Sequence, residues 1–286
     1  IRVSLVGSEM CIRDRFNLRA GLISALQQHP LILDFYTEND YELIWFGNNA
    51  LARQRRAELV NSLQSASFHG LPGKKYQVNS LLSKLSTSDS LFEIGLLEGL
   101  FMIAFTEYAS DLDTGVLIPS EVDSDIVRHI HDKDTEFYIQ GLLSRNPYDY
   151  FRSLGPQSSE YARLLVEYQK LSEIIRNGGW SNIATDRILR FGDSGDDVVA
   201  IRNRLFDQGY MPNSISTKFD KNLLKAVQKY QSDHGLIPDG IVGEGTILEL
   251  NITAEQRLSS IIVALERERW LDAVSYTHLR AHETHS

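Results

Sequence analysis

Between Leu189 and Asn251 the chain reads as three short helices separated by glycine-bearing turns. The string LRFGDSGDD (189–197) is turn-rich and leads into the first of them. Ser194, three residues before Asp197, predicts a capping box with the shorter acid in the position usually held by Glu. Val198, Ile201 and Leu205 share one face, and Gly209 closes the helix. Phe219 and Asp220 open a second helix with Asp220 as N-cap and Leu223, Leu224, Val227 and Tyr230 turned inward; it stops at Gly235. After a tight turn at Asp239–Gly243, Thr246, Ile247 and Leu250 fit a short third helix.

Upstream, from Phe16 to about Gly179, apolar residues recur mostly at helical spacing. Leu18, Leu22, Ile23 and Leu26 form one stripe, stopped by Pro30. Leu51, Leu59, Val60 and Leu63 mark a second helix, rich in Arg53, Arg55 and Arg56, which ends before Gly70–Pro72. Leu81, Leu82 and Leu85 mark a short third. The run from Ser90 to about Ser110 is apolar nearly all round, which predicts a central helix. Its Gly95 and Gly99, four apart, allow a neighbouring helix to approach closely. Asp111–Gly115 reads as a turn. A later helix carries Tyr161, Leu164, Leu165, Tyr168, Leu171 and Ile175; it starts at Ser158–Glu160 and closes at Gly178–Gly179. The expected fold class is mainly α, a helical body followed by a small three-helix module.

Lys plus Arg is 29 against 38 for Asp plus Glu, a net charge of −9. That balance argues against nucleic acid as a partner, because phosphate binding needs clustered cations. No run reaches the ~18 uncharged apolar residues of a membrane-crossing helix. One cysteine excludes a disulfide framework and a cysteine zinc cluster, leaving a lone thiol to consider. That residue, Cys11, lies in a stretch (1–15) without helical or strand periodicity, and nothing near it supplies a base or an electropositive pocket. Residues 1–15 and 274–286 both resemble translated sequencing-adapter read-through and are set aside as a non-native leader and a disordered, non-native tail. His282, Glu283 and His285 suggest a metal cluster, but HETH lacks the i, i+4 histidine pair of a helical zinc site.

In the helical body, His69, His129 and His131 are the candidates for chemistry, with Glu98 and Glu107 as carboxylates. His129 and His131, two apart, could share a ligand only on a strand. The Arg53, Arg55 and Arg56 run reads as a solvated helix face. Neither a metal nor a cofactor is expected.

The elements of 189–251 resemble the small peptidoglycan-binding domain found on many cell-wall enzymes. The resemblance is carried by LRFGDSGDDVVAIRNRL, then GY, FD, AVQKYQ, GLIPDGIVG and a closing Thr and Leu. One departure is Arg202-Asn203, where relatives often have Leu-Gln. The resemblance implies a module that recruits its chain to murein. Tyr210, Tyr230, Gln231 and Asp239 are then candidate contacts to glycan strands or stem peptides, a tyrosine offering an apolar face with a polar tip. Tyr230 also suits the core, and Asp239 also suits fixing its own turn.

More widely, Phe16 to Ala273 is similar to the large L,D-transpeptidases of Gram-negative bacteria. The segments that carry this are PLILDFYTENDYELIWF (30–46), NGGWSNI (177–183) and LNITAEQRLSSIIVALERERWL (250–271). The similarity implies a scaffold domain at 16–183, a peptidoglycan-binding domain at 184–251, and a helix at 252–273 leading to a catalytic domain. It further implies 3→3 cross-linking by a cysteine thiolate, a histidine and an oxyanion pocket. In that family these lie in a Ser/Thr-His-Gly-Cys segment, which this chain stops short of. The expectation is therefore a truncated, catalytically inert part with no catalytic residue of its own, located in the periplasm or cell envelope and partnered by peptidoglycan. The alternatives are a non-enzymatic wall-binding protein, or the targeting part of another murein enzyme such as a zinc amidase or carboxypeptidase.

Overall fold

The computed structural model describes residues 15–117 and 134–283, with side chains through Leu271. Among them the chain is helical, and its β pairing is confined to two isolated antiparallel bridges, Leu189 with Val242 and Ser194 with Lys218. It divides into two compact units: one runs to Val166 and resumes at Ile262, and the other is Glu167–Ile261. Cys11, His129, His131 and His285 lie outside the described residues.

The helices in chain order are α1 (15–26), α2 (Pro30–Glu38), α3 (Ala50–Ser65), α4 (Val78–Thr87), α5 (Leu91–Thr114), α6 (Thr135–Ser144), α7 (Pro147–Arg152) and α8 (Ser159–Arg176). They are followed by α9 (Asp196–Asp207), α10 (Lys221–Asp233), α11 (Glu244–Leu250) and α12 (Ala254–Glu283). The backbone of 274–283 continues α12 where a disordered tail was expected. No glycine or proline interrupts the sequence after Ala254, so nothing local ends the helix.

In the first unit α5 is central, as its apolar surface predicts. Ser90 caps it through a reciprocal box: Ser90 Oγ accepts from the Glu93 amide at 3.2 Å, and Glu93 Oε2 accepts from the Ser90 amide at 3.0 Å. Phe101, Met102, Phe105 and Tyr108 are buried on it, and Trp45 packs against Phe101 and Phe105. The glycines do bring a neighbour close, and the neighbour is α1. A Cβ on Gly95 would sit 2.0 Å from the Leu18 carbonyl oxygen, and one on Gly99 would sit 2.6 Å from Ala25 Cβ. Gly95→Ala is therefore expected to destabilise the first unit by about 1–3 kcal/mol through forced helix separation. That outweighs the ~1 kcal/mol by which alanine is favoured over glycine inside a helix. Thermal melts of the two proteins check the sign.

Three local expectations for this unit do not hold. Ile23, Leu51 and Leu85 are exposed; Ile23 follows Leu22 directly, so the ~100° step between neighbours turns it off the Leu22–Leu26 face. Asp111–Thr114 is the last turn of α5, not a loop, and Gly115 follows with φ 89°. Tertiary partners make that turn affordable: Asp111 accepts from Lys75 Nζ at 2.6 Å and Tyr76 Oη at 2.8 Å, while Asp113 accepts from Tyr138 Oη at 2.9 Å. The arginines of α3 are not a uniformly solvated face. Arg53 is exposed, Arg56 lies 4.8 Å over the Phe46 ring, and Arg55 is buried. Burial pulls the Arg55 pKa down, against the attraction of Glu98.

Glu98 is fully buried. Its carboxylate accepts from Tyr36 Oη at 2.7 Å, Ile44 N at 2.7 Å, Trp45 N at 3.1 Å and Phe46 N at 2.9 Å. It ties the 44–46 loop to α5. Burial pushes its pKa up, and those four donors pull the other way. The same unit holds a second buried charge group where α12 enters it. Arg269, wholly buried, donates to Glu266 Oε1, to the His69 carbonyl and, at 3.1 Å, to Tyr161 Oη. Glu266 Oε2 accepts from the amides of Val116 at 2.8 Å and Leu117 at 3.0 Å. His69 Nδ1 lies 3.3 Å from Tyr161 Oη, and burial plus the Arg269 charge holds its pKa down to about 4. Glu98 and His69 are thus parts of structural networks.

The second unit has its own core of Leu189, Val198, Ile201, Leu205, Phe219, Leu223, Val227, Tyr230, Val242 and Leu250. Its three short helices are those the glycine spacing predicts. Asp220 caps α10, accepting from Asn222 N and Leu223 N, each at 2.9 Å. The capping box at Ser194 does not form. Gly195 is the N-cap of α9 at φ 134°, with no side-chain cap bond. The Gly195 amide donates instead to Thr217 O at 3.1 Å beside the Ser194–Lys218 bridge, so a tertiary contact displaces the local one. Arg202, 1% exposed, donates to Lys218 O at 2.6 Å and Asp220 Oδ2 at 3.0 Å, locking α9 to the cap of α10.

Candidate functional site

Two of the four candidate ligand contacts are committed to the turn before α11. Gln231 is buried, and its Nε2 donates among Asp239 Oδ1 (3.0 Å), Ile241 O (2.9 Å) and Thr246 Oγ1 (3.1 Å). Its Oε1 accepts from Gly240 N at 2.9 Å. Asp239 Oδ1 also accepts from Ile241 N at 2.8 Å, and these donors hold the carboxyl below its usual range. Gln231 is therefore an internal clamp with no free polar atom facing a groove, and Asp239, though exposed, spends its Oδ1 on the turn.

Tyr230 is fully buried and its hydroxyl accepts from Arg257 Nη2 at 3.1 Å. Tyr210 is half-buried and stands edge-to-face against it at 5.1 Å. Between them and α12 lies His234, its ring 4.2 Å from that of Tyr230. His234 Nδ1 is 3.0 Å from Glu249 Oε1, and Nε2 is 3.3 Å from Tyr210 Oη. Arg257 Nη1 also approaches His234 Nδ1, at 3.4 Å, so the imidazole is held between a carboxylate, a guanidinium and a phenol. Burial and the Arg257 charge hold the His234 pKa down, against Glu249 and Asp233. Arg257 completes the cluster with Nη2 3.1 Å from both Glu249 O and Oε1.

This cluster borders a groove of about 590 Å³ that lies wholly within the second unit. Leu171, Ile174, Ile252 and Ile261 give it an apolar surface, and Trp180 and Tyr210 give it aromatic ones. The Arg204 guanidinium lies 5.3 Å over the Trp180 ring. Trp180 Nε1 and Gln208 Nε2 have no hydrogen-bond partner among the described residues. Of the four candidates only Tyr210 lines the groove. Trp180, His234 and Arg257 were missed. Trp180 could have been found as an indole beside a Gly-Gly helix end; no local signal marks Arg257 on its charged helix. Among the described residues no group of His, Cys, Asp and Glu could hold a metal ion.

Two stretches of the chain match known domain families. Residues 30–167 match the scaffold domain family, and residues 194–250 match the peptidoglycan binding domain family. An uncharacterized protein in the bpoA1 3' region of Kitasatospora aureofaciens is 39% identical over 80 residues, which cover 28% of this chain and 66% of that protein. The chain thus joins a scaffold domain to a peptidoglycan-binding domain. These support a cell-wall-binding role with peptidoglycan as partner and a place in the cell envelope. No helix of the described residues is long and apolar enough to cross a membrane.

Proposed function

We propose that this chain is the scaffold and murein-anchoring part of an L,D-transpeptidase that forms 3→3 cross-links in a Gram-negative periplasm. The observation that carries the reading is the order of parts: scaffold domain, peptidoglycan-binding domain, then the LERERW helix. We place the domains at 16–183, 184–251 and 252–273. In such an enzyme a cysteine thiolate attacks the bond between the diamino acid and D-alanine of a tetrapeptide stem, and D-alanine leaves. The side-chain amine of a second stem then captures the acyl-enzyme.

The contribution of this part is position. Holding to the wall converts each encounter with a stem peptide into a local one and raises its effective concentration. Tyr210 is the proposed wall contact, while Tyr230, Gln231 and Asp239 keep its surroundings in place. The test is to read the source locus downstream of the Leu271 codon. A Ser/Thr-His-Gly-Cys segment in frame is the expected result. A histidine–carboxylate zinc pattern, or a stop codon directly after the helix, overturns the assignment and leaves a zinc enzyme or a simple wall-binding protein.

A further inference from the structure

Resting on the wall-binding reading, we propose that the groove beside Trp180 and Tyr210 is a glycan site for consecutive N-acetylated amino sugars. One wall of it is supplied by helices that flank the peptidoglycan-binding domain. Size comes first: about 590 Å³ lies within the range of small-ligand sites, which are mostly apolar with a few placed polar groups.

Chemistry comes second. A pyranose presents a face of C–H groups and a rim of hydroxyl and acetamido groups. It therefore fits aromatic surfaces that carry polar tips. Trp180 and Tyr210 are such surfaces, and Trp180 Nε1 and Gln208 Nε2 are donors that the fold leaves without an acceptor. Both atoms are buried as the chain is folded here, so an acetamido carbonyl or a sugar hydroxyl reaches one only when its side chain turns toward the groove.

Charge comes third and selects sugar over stem peptide. Glu167 and Asp207 on the groove balance Lys170 and Arg257, and Arg257 is already engaged by Glu249. A stem peptide carries free carboxylates and would call for a surplus of cations. An N-acetylated glycan is uncharged along its rings and calls for none. The composite wall follows from position: Leu171, Ile174 and Trp180 precede the matched 194–250 region, and Ile252, Ser260 and Ile261 follow it.

The experiment titrates the full chain with tetra-N-acetylchitotetraose and follows tryptophan fluorescence. Trp45 and Trp270 are buried and Trp180 is half-buried, so the signal reports on the groove. The variant is Ser260→Phe, which fills the groove from α12. Ser260 is exposed and its hydroxyl bonds only within its own helix, to Gln256 O, so the fold survives the change. The expected result is a saturable change with the unmodified chain. Ser260→Phe should weaken affinity for both the tetrasaccharide and purified sacculi at least about tenfold, at an unchanged melting temperature. Ser260→Phe binding both as tightly as the unmodified chain overturns the site. So does a saturable fluorescence response to a free stem tetrapeptide with none to the tetrasaccharide. If the unmodified chain fails to bind sacculi at all, the wall-binding reading falls with it. If sacculi are bound at full strength by Ser260→Phe, only the groove assignment falls.

Discussion

Glu98→Leu is expected to cost the first unit at least about 4 kcal/mol. The substitution leaves Tyr36 Oη and the amides of Ile44, Trp45 and Phe46 buried without their acceptor, and each orphaned group costs about 1–3 kcal/mol. It also strips Arg55 of the nearby negative charge. Against a whole-domain stability of about 5–15 kcal/mol, that loss moves the unit close to unfolding at room temperature. Glu98→Gln keeps one acceptor oxygen but aims an NH2 group at donors, so about half the loss is expected. Urea titrations followed by far-ultraviolet circular dichroism measure both. A Glu98→Leu protein with an unchanged midpoint contradicts the role given to this carboxylate.

Arg269→Met comes next in size, at about 3–5 kcal/mol, the cost of removing one partner from a buried ion pair. Glu266 would stay buried with its charge uncompensated, and the His69 carbonyl and Tyr161 hydroxyl would each lose a donor. Adding Glu266→Gln removes the stranded charge. The double variant is therefore expected to lose less than the sum of the single changes, by about 1–3 kcal/mol. Additive losses would show that the two residues act independently, against the geometry. The test also bears on the LERERW string. It locates the value of that string in docking α12 within the first unit, through Glu266, Arg269 and the buried Trp270.

How far such features are legible in the sequence depends on where their partners lie. The central helix and the three-helix module could be read because their signals are local: an apolar run, an Asp at an N-cap, glycines at helix ends. Glu98 was visible only as an interruption of an apolar run. Its partners lie 52 to 62 residues upstream, and no spacing rule links them. Asp111 and Asp113 read as turn formers for the same reason, since Lys75 and Tyr76, which donate to Asp111, and Tyr138, which donates to Asp113, are distant in sequence. At Ser194 a local rule gave a definite answer, and a bridge to Lys218 overrode it. The site divides along the same line. Tyr210 was legible as part of the module's own pattern, whereas Trp180 and Arg257 come from flanking segments and meet it only through folding.

The central claim, that this chain attaches to the cell wall, is tested most directly by co-sedimentation with purified sacculi. The account predicts that the full chain leaves the supernatant in proportion to the sacculi added, and that fragments released from sacculi by a muramidase compete it back into solution. A chain that stays in the supernatant at every sacculus concentration, while remaining folded by circular dichroism, would contradict it.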